Sequence, residues 1–197
     1  MTMFDRIDLF SAFSRSLYRH ATRRKIVPLL LLFAAYFWVF NFSTLPFSNP
    51  SLMAAGCGEG LLDIRPFYTA VEAHRALDCY GPAGRSIYQH FLLVDMSFVF
   101  IYGFGFALLL SSLLAALTTP ESRWRLLNLL PLGIALADAT ENFALFALLA
   151  AYPGFPATLG ELAGMATLFK NLLSVTALAT LVVCACARLL LHIRRTK

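Results

Sequence analysis

The chain has 197 residues, is 59% hydrophobic and 14% charged, and carries a formal net charge of +5, with a mean hydropathy of +0.70. That composition excludes an ordinary soluble domain and a disordered segment, and it reads as one polytopic membrane domain. The positive balance does not point to nucleic acid, because twelve of the sixteen basic residues stand on one side of the apolar runs. These are Arg6, Arg15, Arg19, Arg23, Arg24 and Lys25 before the first, Arg123 and Arg125 between the second and third, and Arg188, Arg194, Arg195 and Lys197 after the fourth. Arg65, Arg75 and Arg85 lie on the other side and Lys170 within a run. The positive-inside rule then predicts both termini in the cytosol, or in the matrix if the host is the mitochondrial inner membrane.

In chain order, residues 1–25 form a basic arm in which Phe4, Ile7, Leu9, Phe10, Phe13, Leu17 and Tyr18 alternate with arginines. They predict an amphipathic helix on the inner membrane surface, its cations among the headgroups of membrane lipids. Asp5 and Asp8 weaken the rival reading as an organelle-targeting segment, since such segments are poor in acids. Apolar runs over 26–45, 87–117, 126–152 and 162–191 are each long enough to cross a hydrocarbon core, which takes about 20 helical residues. These runs are too continuous for barrel strands, and only helices or closed barrels satisfy their backbone in lipid. The expected fold is therefore all-α, a four-helix transmembrane bundle over 26–191 followed by a basic tail over 192–197.

The outer loop, 46–86, opens irregularly. From Pro66 onward Ala70, Val71, Ala73, His74 and Leu77 predict a short surface helix that stops near Tyr80-Gly81, with Pro82 just beyond. Cys57 and Cys79 share this loop and allow a disulfide. Cys184 and Cys186, two apart in the fourth run, point different ways and read as small buried or lipid-facing residues. The two pairs lie at opposite membrane faces without a C-x-x-C spacing, which excludes a quinone-reducing thiol enzyme.

Polar residues recur inside the runs. Tyr88, Asp95 and Tyr102 are spaced by seven in the second; Gly103 and Gly105 there permit close helix approach. Pro131 lies near the start of the third, where a kink is expected. Asp138, Glu141 and Asn142 follow at i, i+3 and i+4, on one helical face. The fourth carries Gly160 and Gly164, a close-contact pair, then Thr167, Lys170, Asn171 and Ser174 on one face. A carboxylate at mid-membrane costs about 2.5–3.5 kcal/mol on insertion scales, so such groups face protein or water. The candidate binding set is Tyr88, Asp95, Tyr102, Asp138, Glu141, Asn142, Lys170 and Asn171, with Arg85 and His90 at its mouth and Lys170 bridging Asp138 or Asp95.

Three carboxyls against one lysine leave negative charge to be offset by a proton, a cation, a cationic ligand or an outer-loop arginine. The cluster serves either as internal glue that fixes helix register or as a functional cavity. In an enzyme acting on a lipid or sterol-like substrate, Glu141 or Asp138 would donate the proton, Asp95 would be the base and Lys170 would tune both. No hydrolase, nucleotide, cysteine-rich metal or haem pattern is present, so no metal and no cofactor is expected.

The run Leu62-Asp63-Ile64-Arg65, then Tyr68, Gly81, Gly84-Arg85, Tyr88, Asp95 and Tyr102, followed by Asp138-x-x-Glu141-Asn142 and Lys170, resembles a widespread uncharacterised family of small four-span membrane proteins. The resemblance covers roughly residues 60 to 190, and the D-x-x-E-N element is its most distinctive part. It implies the bundle and its polar face, and no activity. The expected role is a non-enzymatic accessory subunit whose partners are membrane lipids and other membrane protein subunits. The alternative is an intramembrane enzyme or binding protein for a lipid or sterol-like ligand.

Overall fold

Long apolar runs force the backbone to satisfy its own hydrogen bonds. Accordingly, the computed structural model, which describes the backbone of residues 3–195 and the side chains of 10–194, shows only helices, turns and loops. The side chains of Phe4, Asp5, Arg6, Ile7, Asp8, Leu9, Arg195 and Lys197, used in the sequence reading, lie outside the described residues. The helices are α1 (Met3–His20), α2 (Arg23–Phe42), α3 (Asn49–Ala55), α4 (Ala70–Ala115), α5 (Leu130–Ala151) and α6 (Ala157–Arg195), with 3-10 turns at Leu62–Ile64 and Arg123–Leu129. Four stretches, α2, α4, Arg123–Ala151 and α6, are long and apolar enough to cross a membrane. The end bearing 43–69 and 152–156 is the loop end below; the opposite end, with α1 and 116–129, is the terminal end.

α4 is the central helix, contacting α2, α5 and α6. It starts at a reciprocal cap in which the Glu72 amide donates to the Thr69 hydroxyl and the Thr69 amide donates to the Glu72 carboxylate, a strong helix start. The predicted stop at Gly81 is real: Gly81 adopts φ 61°, a left-handed conformation glycine tolerates. Pro82 then opens a second helical segment that continues without interruption into the span, whereas the sequence reading began that span at residue 87. Arg85 donates to the Leu77 carbonyl at 2.9 Å, a group near the break. The first segment does not lie free on the surface: Ala73, Ala76, Leu77 and Tyr80 are buried in the main core.

α2 is joined to α4 by an aromatic ladder. Phe33 meets Phe98 and Phe106 at centroid distances of 5.4 and 5.0 Å, and Phe40 meets Phe91 at 4.8 Å, while the Tyr36 hydroxyl lies 3.0 Å from Ser97 Oγ. Pro131 does not kink α5; it stands in its first turn, where a missing N–H costs nothing. The expected close approach at Gly103 is present, since a Cβ there would come 2.8 Å from Ala135 Cβ.

The loop was expected to be irregular as far as Pro66, yet it contains α3, capped by Ser48, whose Oγ accepts from the Ser51 amide. Leu52 of α3 is fully buried in the main core. Cys57 and Cys79 are joined as a disulfide, tying the loop to α4. The Gly160/Gly164 pair seats this loop: a Cβ on Gly164 would clash with the Tyr68 carbonyl oxygen, and one on Gly160 would fall 2.9 Å from Ala70 Cα. At the terminal end α1 docks on the bundle. Ser14 Oγ donates to Asn128 Oδ1 (2.8 Å), Asn128 Nδ2 donates to Ser111 Oγ (2.9 Å), and Leu17 packs with Ile26, Ala107 and Leu108.

Candidate functional site

Lys170, on α6, is the hub. Its ammonium donates to Glu141 Oε2 at 2.6 Å, to Asp138 Oδ1 at 3.0 Å and to the Asp63 carbonyl at 3.0 Å. Both α5 carboxylates have further donors. Tyr102 donates to Asp138 Oδ2 (2.8 Å), and Tyr68 and Thr167 donate to Glu141 Oε1 (3.0 and 2.5 Å). Glu141 is fully buried, and Asp138 and Lys170 nearly so. A lysine in such a place keeps its charge because two carboxylates face it and every N–H has an acceptor.

Asp95 is not paired with Lys170, one of the two pairings the sequence allowed. It accepts from Asn142 Nδ2 at 2.6 Å, while Tyr102 of the same α4 stripe is the residue that reaches Asp138. Asn171 is not in the carboxylate group either. Its amide donates to the Arg65 and Pro66 carbonyls at 3.1 and 3.2 Å and so fastens α6 to the loop. Arg85 and His90 do not form a mouth to the cluster. The Arg85 guanidinium sits over the Tyr152 ring, 3.7 Å from its centroid, and His90 Nδ1 lies 2.7 Å from the Ser86 carbonyl of its own helix on an exposed face.

Two loop residues that the sequence reading placed in no site belong to it. Asp63 brings a fourth carboxyl: its Oδ1 is buried without a hydrogen bond, and burial, opposed in part by Lys170, pushes its pKa up to about 7. Tyr68 is fully buried; burial and then the Glu141 carboxylate push its hydroxyl above the usual phenol range, so it remains a donor. Their only sequence signal is presence in the resembling run; periodicity says nothing in an irregular loop. Arg65 does not offset the carboxyls, since it pairs with Glu59. Besides Asp63 Oδ1, Tyr88 OH and Asn142 Oδ1 are buried without a protein partner, the kind of group that ordered water satisfies in protein interiors.

The loop closes the cluster at the loop end, and a cavity opens it sideways. About 360 Å³ lies between α2 and α6, with Phe33, Phe37, Phe98 and Phe106 on one wall and Ala177, Leu178 and Leu181 on the other. Asp138, Lys170, Tyr102, Asn171 and Ser174 form its polar end. Phe37 and Leu178 at the rim are 50% and 63% exposed, so the cavity reaches the apolar flank of the bundle. Glu141, Asp95 and Tyr88 do not line it. Its size is that of small-ligand pockets, which are mostly apolar with a few placed polar groups. Among the described residues no group of three or more His, Cys, Asp or Glu is arranged to hold a metal ion.

No family model, no curated protein and no solved structure matches this chain.

Proposed function

We propose that this integral membrane protein binds a lipid- or sterol-like amphiphile in the lateral cavity between α2 and α6, with Asp138 facing the ligand's polar group. The observation that carries this reading is a cavity whose walls are aromatic and aliphatic and whose far end is a buried carboxylate–lysine pair. Counted from the start of the apolar run at 162, Lys170 lies about 12 Å along α6 at 1.5 Å per residue. A ligand's polar group would therefore be received deep in the membrane, where lipid alone offers it nothing.

Entry is from the bilayer, because segment 62–66 covers Lys170 and Asn171 from the loop end. The D-x-x-E-N element supplies the two carboxylates that accept from Lys170 and the amide that donates to Asp95. The test is organic extraction of protein purified in lipid nanodiscs, followed by mass spectrometry of what is retained. A defined amphiphile should accompany the wild type and be lost from Ala177→Phe, which fills the cavity wall; equal recovery from both sinks the reading.

A second reading, accessory subunit of a larger membrane assembly, is supported by the terminal end. Two apolar grooves there, of about 470 and 620 Å³, flank the exposed Trp124 between the 123–129 turn and α6. Native electrophoresis after gentle extraction tests it: reproducible migration with other membrane subunits favours this role, and a monomer or small homo-oligomer removes its support.

A further inference from the structure

The lateral cavity also restricts what its ligand's polar group can be, once the donors at its polar end are counted. Lys170 has three N–H bonds, and they go to the Asp63 carbonyl, Asp138 Oδ1 and Glu141 Oε2. The Tyr102 hydroxyl donates to Asp138 Oδ2, and the Ser174 hydroxyl to the Lys170 carbonyl. The two N–H bonds of Asn171 are shared among the Arg65, Pro66 and Thr167 carbonyls. Every side-chain donor at the polar end is committed. What remains toward the cavity is acceptor capacity: the lone pairs of the Asp138 carboxylate, Asn171 Oδ1 and Ser174 Oγ. A carboxylate or phosphate headgroup would find no donor there, despite the lysine on the wall.

Charge points the same way. Counted formally, two carboxylates accept from the one ammonium of Lys170, an excess of one negative charge before Asp63 and Asp95 are considered. Phe33, Phe98, Tyr102 and Phe106 add aromatic rings to the same cavity, and ring faces attract cations, the more so when desolvated. One cationic group that donates hydrogen bonds satisfies the acceptors, cancels the residual charge and meets the rings.

We propose that the ligand of the lateral cavity is a cationic amphiphile, a long-chain or polycyclic amine whose ammonium donates to the Asp138 carboxylate. This rests on the reading of the cavity as a ligand site.

The test uses the full chain in lipid nanodiscs and four probes that share a twelve-carbon chain: dodecylamine, N-dodecylacetamide, dodecanol and dodecanoate. Retention is read by native mass spectrometry, with the cavity-filling Ala177→Phe as the measure of nonspecific partitioning. The amine should bind about tenfold or more tighter than the alcohol or the amide, as expected for a hydrogen bond to a charged group, and dodecanoate should not exceed the Ala177→Phe level. In Asp138→Asn the amine should fall to the level of the alcohol while alcohol binding persists. If that variant does not fold, the comparison of amine with neutral amide on the wild type decides alone, since both offer an N–H and only one carries charge. Alcohol or amide equal to the amine, or dodecanoate as tight as the amine, overturns the cationic assignment and leaves the cavity as a ligand site. Failure of all four to exceed the Ala177→Phe level, with no retained lipid, overturns the ligand reading itself.

Discussion

Lys170, Asp138 and Glu141 are the costliest side chains to hold inside an apolar bundle, and their stability rests on each other. Lys170→Met leaves two buried carboxyls without their cation, and breaking a buried ion pair from one side costs about 3–5 kcal/mol. Thermal unfolding in a fixed detergent should show that loss, and the triple variant with Asp138→Asn and Glu141→Gln should recover much of it; a Lys170→Met protein as stable as wild type would remove the ion-pair account. Asp63 makes a separate prediction. Its carboxyl is lifted from 3.8 to about 7 by burial. Between those values the folded chain holds a proton that the unfolded chain has released, so stability falls as pH rises through that window and levels off above it. The Asp63→Asn chain lacks this proton, and the difference between the two pH–stability curves between pH 4 and 7 isolates the effect. Parallel curves would show that Asp63 titrates normally. A charged residue inside an apolar run announces itself in the sequence, which is why Asp138, Glu141 and Lys170 were legible as a site. Asp63 was not, because an irregular loop gives no period from which burial can be read.

Between elements, the loop-to-bundle contact is the least forgiving. A methyl group on Gly164 would clash with the Tyr68 carbonyl, which belongs to backbone and cannot swing aside. Gly81 is the useful contrast: a Cβ there meets nothing within 4 Å, and only its φ of 61° resists substitution. Gly164→Ala should therefore cost about 1–3 kcal/mol, as overpacking does, and displace 65–69 from α6, whereas Gly81→Ala should act through backbone strain and leave that contact closed. Limited chymotryptic proteolysis at the exposed Phe67 reads the difference: faster cleavage in Gly164→Ala than in Gly81→Ala is expected, and the reverse order would mean that the glycine pair does not seat the loop. The four apolar stretches and the stop at Gly81-Pro82 were legible because hydrophobic length and Gly/Pro chemistry are local. α3 was not, since its Leu52 is buried against residues distant in sequence. Likewise Gly160 and Gly164 signal that something comes close, without saying that it is loop backbone rather than another helix.

At the scale of the whole molecule, the sequence places polar residues on faces but not the rotations that decide which faces meet; hence Asp95 meets Asn142 rather than Lys170. It expects α1 on the inner membrane surface without saying what the helix packs against; burial of Ser14 and its bonds to Asn128 fix α1 to the terminal end. That end gathers Arg15, Arg19, Arg23, Arg24, Lys25, Arg123, Arg125, Arg188 and Arg194, while Arg65, Arg75 and Arg85 stand at or near the loop end. The asymmetry is what the positive-inside rule uses, and a disulfide at the loop end agrees with an oxidising compartment there. The orientation so inferred is open to a direct measurement. With Cys184 and Cys186 replaced by alanine, Ala157→Cys places a thiol at the exposed start of α6 on the loop end, and Glu121→Cys places one in the exposed connection at the terminal end. A membrane-impermeant maleimide applied to intact cells or sealed organelles should label Ala157→Cys at once and Glu121→Cys only after permeabilisation. Labelling in the opposite order would invert the topology, put the basic end outside, and require the charge asymmetry to serve something other than insertion, such as contact with an anionic partner on that face.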